Sequence, residues 1–206
     1  MKILIADDHS VVRRGLVTIL KDEFPLALIA EATDGAELLQ KASADNWDIV
    51  ISDISMPGRS GMEILKELKE VAPKVPVLIL SVHAPEQYAV RTIKAGASGY
   101  LTKESAPELL VKVVQHIMGG RKYITPEIAE MLAESYNDDK PVHENLSDRE
   151  FEVMKLIASG KTVSEIGNML SLSVNTISTY RSRILEKMRM ASNSELTHYT
   201  ISNKLI

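Results

Sequence analysis

The chain has no cysteine among its 206 residues, so a disulfide framework and thiolate chemistry are both excluded. That absence fits a reducing compartment. Long apolar runs are also missing. The opening stretch, MKILIADDHS, has too short an apolar run for a signal-peptide core and turns acidic at once. No stretch approaches the roughly 20 apolar residues that a membrane-crossing helix needs. A cytoplasmic protein with no membrane contact is expected. A glycine-rich phosphate loop of the nucleotide-binding kind is lacking as well. So is a large excess of one charge, the net value being −4 at pH 7.

What charge there is lies unevenly. Residues 1–125 hold 15 basic and 16 acidic side chains, residues 126–145 hold 1 and 6, and residues 146–206 hold 8 and 6. Only the last segment is net positive, so any contact with nucleic acid belongs there.

Two patterns alternate over the first 120 residues. Short apolar runs occur at KILIAD (2–7), ALIAEA (27–32), DIVISD (48–53), VPVLILS (75–81) and SGYLTK (98–103). Between them lie segments of helical spacing, the first carried by Val12, Leu16, Ile19 and Leu20. Five strands with helical crossovers imply a doubly wound, five-stranded parallel α/β sheet. After Gly119–Gly120 comes RKYITPEIAEMLAESYNDDKPVHEN (121–145), with one short helical stretch in a polar, acidic, proline-containing run. That is a linker signature. The last 61 residues hold no strand pattern. They hold three capping-box pairs, Ser147 with Glu150, Thr162 with Glu165 and Ser192 with Glu195. Gly160 stands where a helix would end. Four helices follow, at about 147–159, 162–170, 173–188 and 193–203, forming a small all-α domain. The expected division is 1–120, a linker at 121–145, and 146–206.

In a doubly wound sheet, ligands bind beyond the C-terminal ends of the strands. Asp7 and Asp8 end the first strand, Asp53 the third, Ser81 the fourth and Lys103 the fifth. Pro57, Gly58 and Gly61 shape the loop after Asp53. Three convergent carboxylates repel one another unless a cation neutralises them. Hard oxygen ligands suit Mg²⁺. An ammonium and a hydroxyl suit the oxygens of a phosphoryl group. The site therefore reads as one where an aspartate accepts a phosphoryl group with metal help. Asp7 and Asp8 alone would more often be solvated loop-end acids; Asp53, Ser81 and Lys103 decide against that. His9 and His83 stand at the rim without a partner for base catalysis, placed to tune the lifetime of a phosphoryl group.

ILIADDH, DIVISDISMPGRSGMEIL, VLILS and AGASGYLTKE closely resemble the flavodoxin-like receiver domain of bacterial two-component response regulators, in order and spacing, over about residues 1–120. The resemblance implies that Asp7 and Asp8 hold Mg²⁺, directly or through water. It makes Asp53 the phosphoacceptor of a sensor histidine kinase and a metal ligand, with the backbone carbonyl of Ser55 completing the metal site. Ser81 and Lys103 would bind the phosphoryl oxygens, and Tyr100 matches the switch aromatic. Many relatives carry proline after the lysine, where Glu104 stands here.

The segment from LSDREFEVMKLIASGK to RSRILEKMRMASNSEL resembles the LuxR-type (NarL/FixJ) helix-turn-helix output domain. Its third helix would enter the major groove. In that helix Ile177, Ile184, Leu185 and Met188 are apolar at core-facing spacing. Asn175, Ser178, Thr179, Ser182 and Glu186 make a polar stripe opposite, flanked by Arg181, Arg183, Lys187 and Arg189. The stripe would face the groove and the flanking cations the phosphates. Thr162 and Thr176 sit at helix starts, where backbone N–H groups also bind phosphate. Relatives often carry lysine at Ser178, so base preference does not carry over. In the family the last helix pairs DNA-bound domains. Leu196, Tyr199, Thr200 and Asn203 would share one of its faces here, with core packing an equal competitor.

The leading expectation is a phosphorylation-regulated DNA-binding transcription regulator. It would form a homodimer when phosphorylated and bind a two-fold DNA site. It would not be an enzyme beyond slow self-phosphorylation and self-dephosphorylation at Asp53. Aspartyl-phosphate phosphatases commonly carry a second acid two residues after the nucleophile, and Ser55 stands there. A phosphorylation-switched protein-interaction module, and a DNA-binding regulator that leaves Asp53 unused, are the other readings.

Overall fold

Five short apolar runs become strands: β1 (Lys2–Ala6), β2 (Leu28–Ala32), β3 (Ile49–Asp53), β4 (Val77–Ser81) and β5 (Gly99–Thr102). In the computed structural model, which describes residues 1–56, 59–136 and 141–206, they pair in parallel in the order β2-β1-β3-β4-β5. Residues of β3 and β4 are buried throughout, whereas the edge strand β2 buries only Ala32 fully. Coverage on both faces explains the near-continuous apolar runs at 49–51 and 77–80. Pro57 and Gly58 lie outside the described residues, as do Asp138 and Asp139 of the acidic run.

The crossovers are α1 (Ser10–Glu23), α2 (Gly35–Ala44), α3 (Gly61–Val71) and α4 (Pro85–Lys94), and α5 (Ala106–Met118) follows β5. Packing joins α1 to α5 and α2 to α3. Leu16 and Leu20 of α1 enter a core with Ile3, Ile5, Ile49, Ile51, Leu78, Leu110 and Val114. The order of strands reverses between β1 and β3, so the crevice beyond their C-terminal ends is the switch point.

The first compact unit runs to Ile128, past the boundary expected at 120. After α5 the backbone turns at Gly120, φ +78°, and returns to the sheet. There Tyr123 bridges Gly99, and its N–H donates to the Ser98 carbonyl at 2.8 Å. The expected linker thus begins as an added edge on β5. A further helix, α6 (Pro126–Glu134), follows, and a 3₁₀ turn spans Val142–Asn145.

The second unit, Ala129–Ile206, holds α7 (Asp148–Ala158), α8 (Val163–Leu170), α9 (Val174–Met188) and α10 (Asn193–Ser202). Ser147 and Thr162 form full capping boxes with Glu150 and Glu165. Ser192 accepts from the Glu195 N–H, but the Glu195 carboxylate reaches back to the Ala191 N–H instead of that of Ser192. A fourth cap, Ser173 accepting from the Thr176 N–H, starts α9. Gly160, at φ +81°, closes α7 with the Lys161 N–H on the Leu156 carbonyl, the bond pattern of a Schellman stop. Phe151, Met154, Ile166, Ile177, Ile184, Met188 and Leu196 fill the core, while Leu185 is half-buried.

Candidate functional site

The strand ends bring the expected groups together. Asp7 and Asp53 are 1% and 2% exposed. The Lys103 ammonium stands 2.7 Å from Oδ2 of each. Burial works to lower the pKa of that ammonium, and the neighbouring Asp53 and Asp7 carboxylates outweigh burial and hold it above the ordinary lysine range. The β5 end fixes this lysine, because the Lys103 N–H donates to the Ser81 carbonyl at 2.7 Å. Among the described residues no peptide bond is cis, the Lys103–Glu104 link included.

One ligand atom from each of Asp7, Asp8, His9 and Asp53 falls within a 4.8 Å cluster. Oδ2 of Asp7 and Oδ1 of Asp8 are buried and receive no aligned hydrogen bond, although Lys103 and His9 stand close to them. Buried carboxylate oxygens left in that condition are costly unless a cation meets them. With Asp53 they form a hard-oxygen donor set, and that set fits Mg²⁺. Ser55 is at the site, its N–H donating to Oδ1 of Asp53 at 3.0 Å. His9 leans on Asp8, Nδ1 to Oδ1 at 2.8 Å.

The loop from β3 to α3 is held by a close approach. A Cβ on Gly61 would stand 2.0 Å from the Ile54 carbonyl oxygen, so no side chain is tolerated there without moving the backbone beside Asp53.

Ser81 is fully buried, and its Oγ accepts the His83 N–H at 2.9 Å. The His83 carbonyl in turn accepts the Tyr100 hydroxyl at 2.8 Å. Burial raises the pKa of that phenol far above its ordinary value, so it stays a donor. The backbone of His83 therefore joins Ser81 to Tyr100. Sequence reading gave His83 only a rim role, because a backbone link leaves no residue-type signal. Arg13 was missed as well. Its Nη1 donates to the Asp7 carbonyl at 2.7 Å while Nε meets Glu31 at 3.0 Å, which braces the end of β1.

In the second unit the polar stripe of α9 is open to solvent. Asn175, Ser178, Thr179, Ser182, Arg183, Glu186 and Arg189 are exposed. Asn175, Thr176, Thr179, Tyr180 and Arg183 line a shallow groove of about 350 Å³. Tyr180 was absent from the expected set. Two expected cations are engaged within the domain. Lys187 Nζ is 2.7 Å from Oε2 of Glu150 on α7, and Arg181 Nε donates to Asn193 at 2.7 Å. The Lys187 pairing explains Glu150: burial opposes its ionisation, and the ammonium with the Ser147 N–H and hydroxyl still holds its carboxyl below the usual range. Lys187 thus ties α9 to α7 while its side chain stays exposed. Thr162 is exposed but bonds Glu165. The turn between α8 and α9 is close, with the Leu172 N–H on the Gly167 carbonyl at 2.8 Å and Ser171 in the left-handed region. A Cβ at Gly167 would meet the Leu172 oxygen at 2.8 Å. On α10, Leu196 and Thr200 are fully buried, and the Tyr199 hydroxyl meets His143 Nδ1 at 2.9 Å. Core packing therefore takes Leu196 and Thr200 from the expected pairing face.

Comparison with known proteins follows the same two-part division. Residues 3–115 match the family described as response regulator receiver domain, and residues 144–200 match bacterial regulatory proteins, luxR family. The chain is 33% identical to response regulator UvrY of Escherichia coli O6:H1, covering all of this chain and 95% of that one. It is also 33% identical to response regulator GacA of Pseudomonas aeruginosa, covering all of this chain and 98% of that one. Among solved structures it is similar to RcsB from Salmonella enterica serovar Typhimurium, which was solved bound to the promoter rprA with the phosphomimetic BeF₃⁻. The TM-score is 0.69 at 25% identity, covering 98% of this chain and 99% of that one.

Proposed function

The chain belongs to the two-component response regulators that join a receiver domain to a LuxR-type output domain, and on that premise we propose that phosphorylation of Asp53 controls its binding to DNA. The observation that carries the reading is the Lys103 ammonium 2.7 Å from both buried carboxylates, Asp7 and Asp53. A carboxylate oxygen of Asp53 attacks the phosphorus of a phosphohistidine on a sensor histidine kinase. The P–N bond breaks as the P–O bond forms, and the released histidine takes a proton from solvent. Asp7, Asp8, Asp53 and the Ser55 carbonyl would hold Mg²⁺, and the ion would neutralise charge on the transferring oxygens. Lys103 follows the new charge from carboxylate to phosphoryl oxygen.

Ser81 then turns its hydroxyl to donate to a phosphoryl oxygen and gives up the His83 N–H that its Oγ accepts. That exchange pulls on the backbone to which the Tyr100 hydroxyl is bound, so charge added at Asp53 biases a two-state surface beside β5. Residues 1–120 act as the switch, 121–145 connect, and 146–206 read DNA as a homodimer on a two-fold site. Asn175, Ser178, Thr179 and Ser182 face base edges, and Arg181, Arg183 and Lys187 face phosphates, with the backbone N–H groups at the helix starts marked by Thr162 and Thr176. Slow self-phosphorylation from small donors and slow self-dephosphorylation complete the chemistry at Asp53.

Incubation with acetyl phosphate and Mg²⁺, followed by intact-mass measurement, tests the first step. One phosphoryl adduct on the wild type and none on Asp53→Ala is expected. An adduct that persists in Asp53→Ala would remove Asp53 from the role.

A further inference from the structure

At the opposite end of the receiver sheet from Asp53, the chain builds a second cavity, of about 410 Å³. Its wall comes from residues just before three strands: Asp48 before β3, Pro76 before β4 and Ser98 before β5. Ile117 and Met118 at the end of α5 give it an apolar side. Lys69, Lys74, Arg121 and Lys122 line the rest. Two backbone features deliver these cations. The Gly120 turn and the Tyr123 bridge lay Arg121 and Lys122 along the sheet edge. Gly96 lets the Lys69 stem cross it, a Cβ there falling 3.4 Å from the Lys69 Cγ.

The charges are not balanced locally. Among the described residues, none of the four cations has a carboxylate at ion-pairing distance. Lys69 Nζ donates only to the Val75 carbonyl, at 2.8 Å. The one acid of the wall, Asp48, is turned to the chain start, its Oδ2 accepting the Lys2 N–H at 2.7 Å. Burial and then the nearby Lys122 ammonium pull the Lys69 ammonium below its ordinary range, so the cations of this cavity repel one another. A bound anion removes that repulsion, and concentrated charge of this kind attracts phosphate groups.

We propose that this cavity binds a small molecule carrying a diphosphate group, with Lys69, Lys74, Arg121 and Lys122 on the phosphates and its organic part against Pro76, Ile117 and Met118. Four cations facing one acid leave a threefold positive excess, which matches a diphosphate better than a monophosphate. The volume falls within the range of small-molecule sites and the site is concave, unlike a stripe that would track a nucleic-acid backbone. Such a ligand clamps the turn after α5 to the strand ends and joins the start of the connecting segment to the receiver core. The site would give the regulator a second input, chemically independent of Asp53.

Isothermal titration of the full chain tests this, with inorganic pyrophosphate and ADP as the probes, in EDTA at low salt. Saturable binding of both is expected. The exposed pair Lys74→Gln with Arg121→Gln weakens it about tenfold or more, the loss of charge-assisted contacts. Lys122→Gln weakens it in the same direction, and Lys204→Gln, an exposed lysine of the second unit with no assigned role, leaves it unchanged. No saturation below about 5 mM, a Kd in the range of nonspecific ion pairing, would overturn the proposal. So would binding that survives the double substitution with unchanged affinity, or that is lost on Lys204→Gln. Exclusion of ADP while pyrophosphate binds would overturn the assignment of an organic part against Pro76, Ile117 and Met118. A double variant that loses affinity for duplex DNA but not for pyrophosphate would show that these cations serve a nucleic-acid backbone instead.

Discussion

Replacing Lys103 by methionine removes the one cation between two buried carboxylates. Asp7 and Asp53 are 1% and 2% exposed, and the ammonium contacts both at 2.7 Å. Removing one partner of a buried ion pair typically costs roughly 3–5 kcal/mol, because the remaining charge stays desolvated. Here two charges remain, so the loss belongs at the upper end of that range. At an m-value of about 2 kcal/mol/M, the receiver midpoint in urea falls by roughly 2 M. The only tryptophan, Trp47, lies in the receiver, with its Nε1 on the Lys41 carbonyl at 2.9 Å, so its fluorescence reads that unit alone. Two further arms isolate the cause. Adding Asp53→Asn to Lys103→Met removes one of the stranded charges and recovers about 2 kcal/mol, a coupling that only interacting sites show. Mg²⁺ stabilises the lysine variant more than the wild type, because the ion meets oxygens that Lys103 no longer neutralises. A loss below about 1 kcal/mol, the value of an exposed pair, would refute the reasoning. So would a double variant no more stable than the single one.

The other predictions concern pH, the loop beside Asp53 and the groove of α9. Burial pushes the Lys155 ammonium down to about 8, while the unfolded chain keeps that proton to about 10.5. The unfolded state then binds more protons between those values, so stability of the second unit rises with pH across that window by about 3 kcal/mol. Helical circular dichroism during urea unfolding should register this rise in the wild type, and Lys155→Met should abolish it. A wild type with no rise would contradict the assignment. Gly61→Ala puts a methyl into the Ile54 carbonyl. It should cost roughly 2–4 kcal/mol, as backbone strain does, and slow adduct formation at Asp53 in the acetyl phosphate assay; an unchanged rate would show that the loop tolerates the shift. Arg183→Ala should weaken DNA binding evenly across sequences and reduce the salt slope by about 1. A change in base preference instead would make it a base reader.

How far the fold was legible depended on the kind of signal. Strands β3 and β4 announced themselves because both faces are covered, so Ile49, Val50 and Ile51, and likewise Val77 to Leu80, had to be apolar together. The second domain was legible through caps: Ser147, Thr162 and Ser192 each begin a helix where their spacing to glutamate put it. The end of the first unit was not, because Tyr123 joins the sheet through main-chain bonds that any residue can make. The site divides the same way. Asp7, Asp53 and Lys103 stood out because charged groups from three strand ends converge on one rim of the sheet. The roles of His83 and Arg13 were hidden, since one acts through its backbone and the other on a carbonyl. The pairing of Lys187 was hidden too, because a helix face shows where a cation is, not that Glu150 waits on α7 to receive it.

Selection of bound fragments from a random DNA pool addresses the central claim most directly. The arms are wild type and Asp53→Ala, each with Mg²⁺ and each with and without acetyl phosphate. The account predicts a two-fold motif enriched only by the phosphorylated wild type. Equal enrichment in all four arms would keep DNA binding and contradict control by Asp53. No enrichment from a wild type that carries the adduct would contradict the DNA-binding role itself.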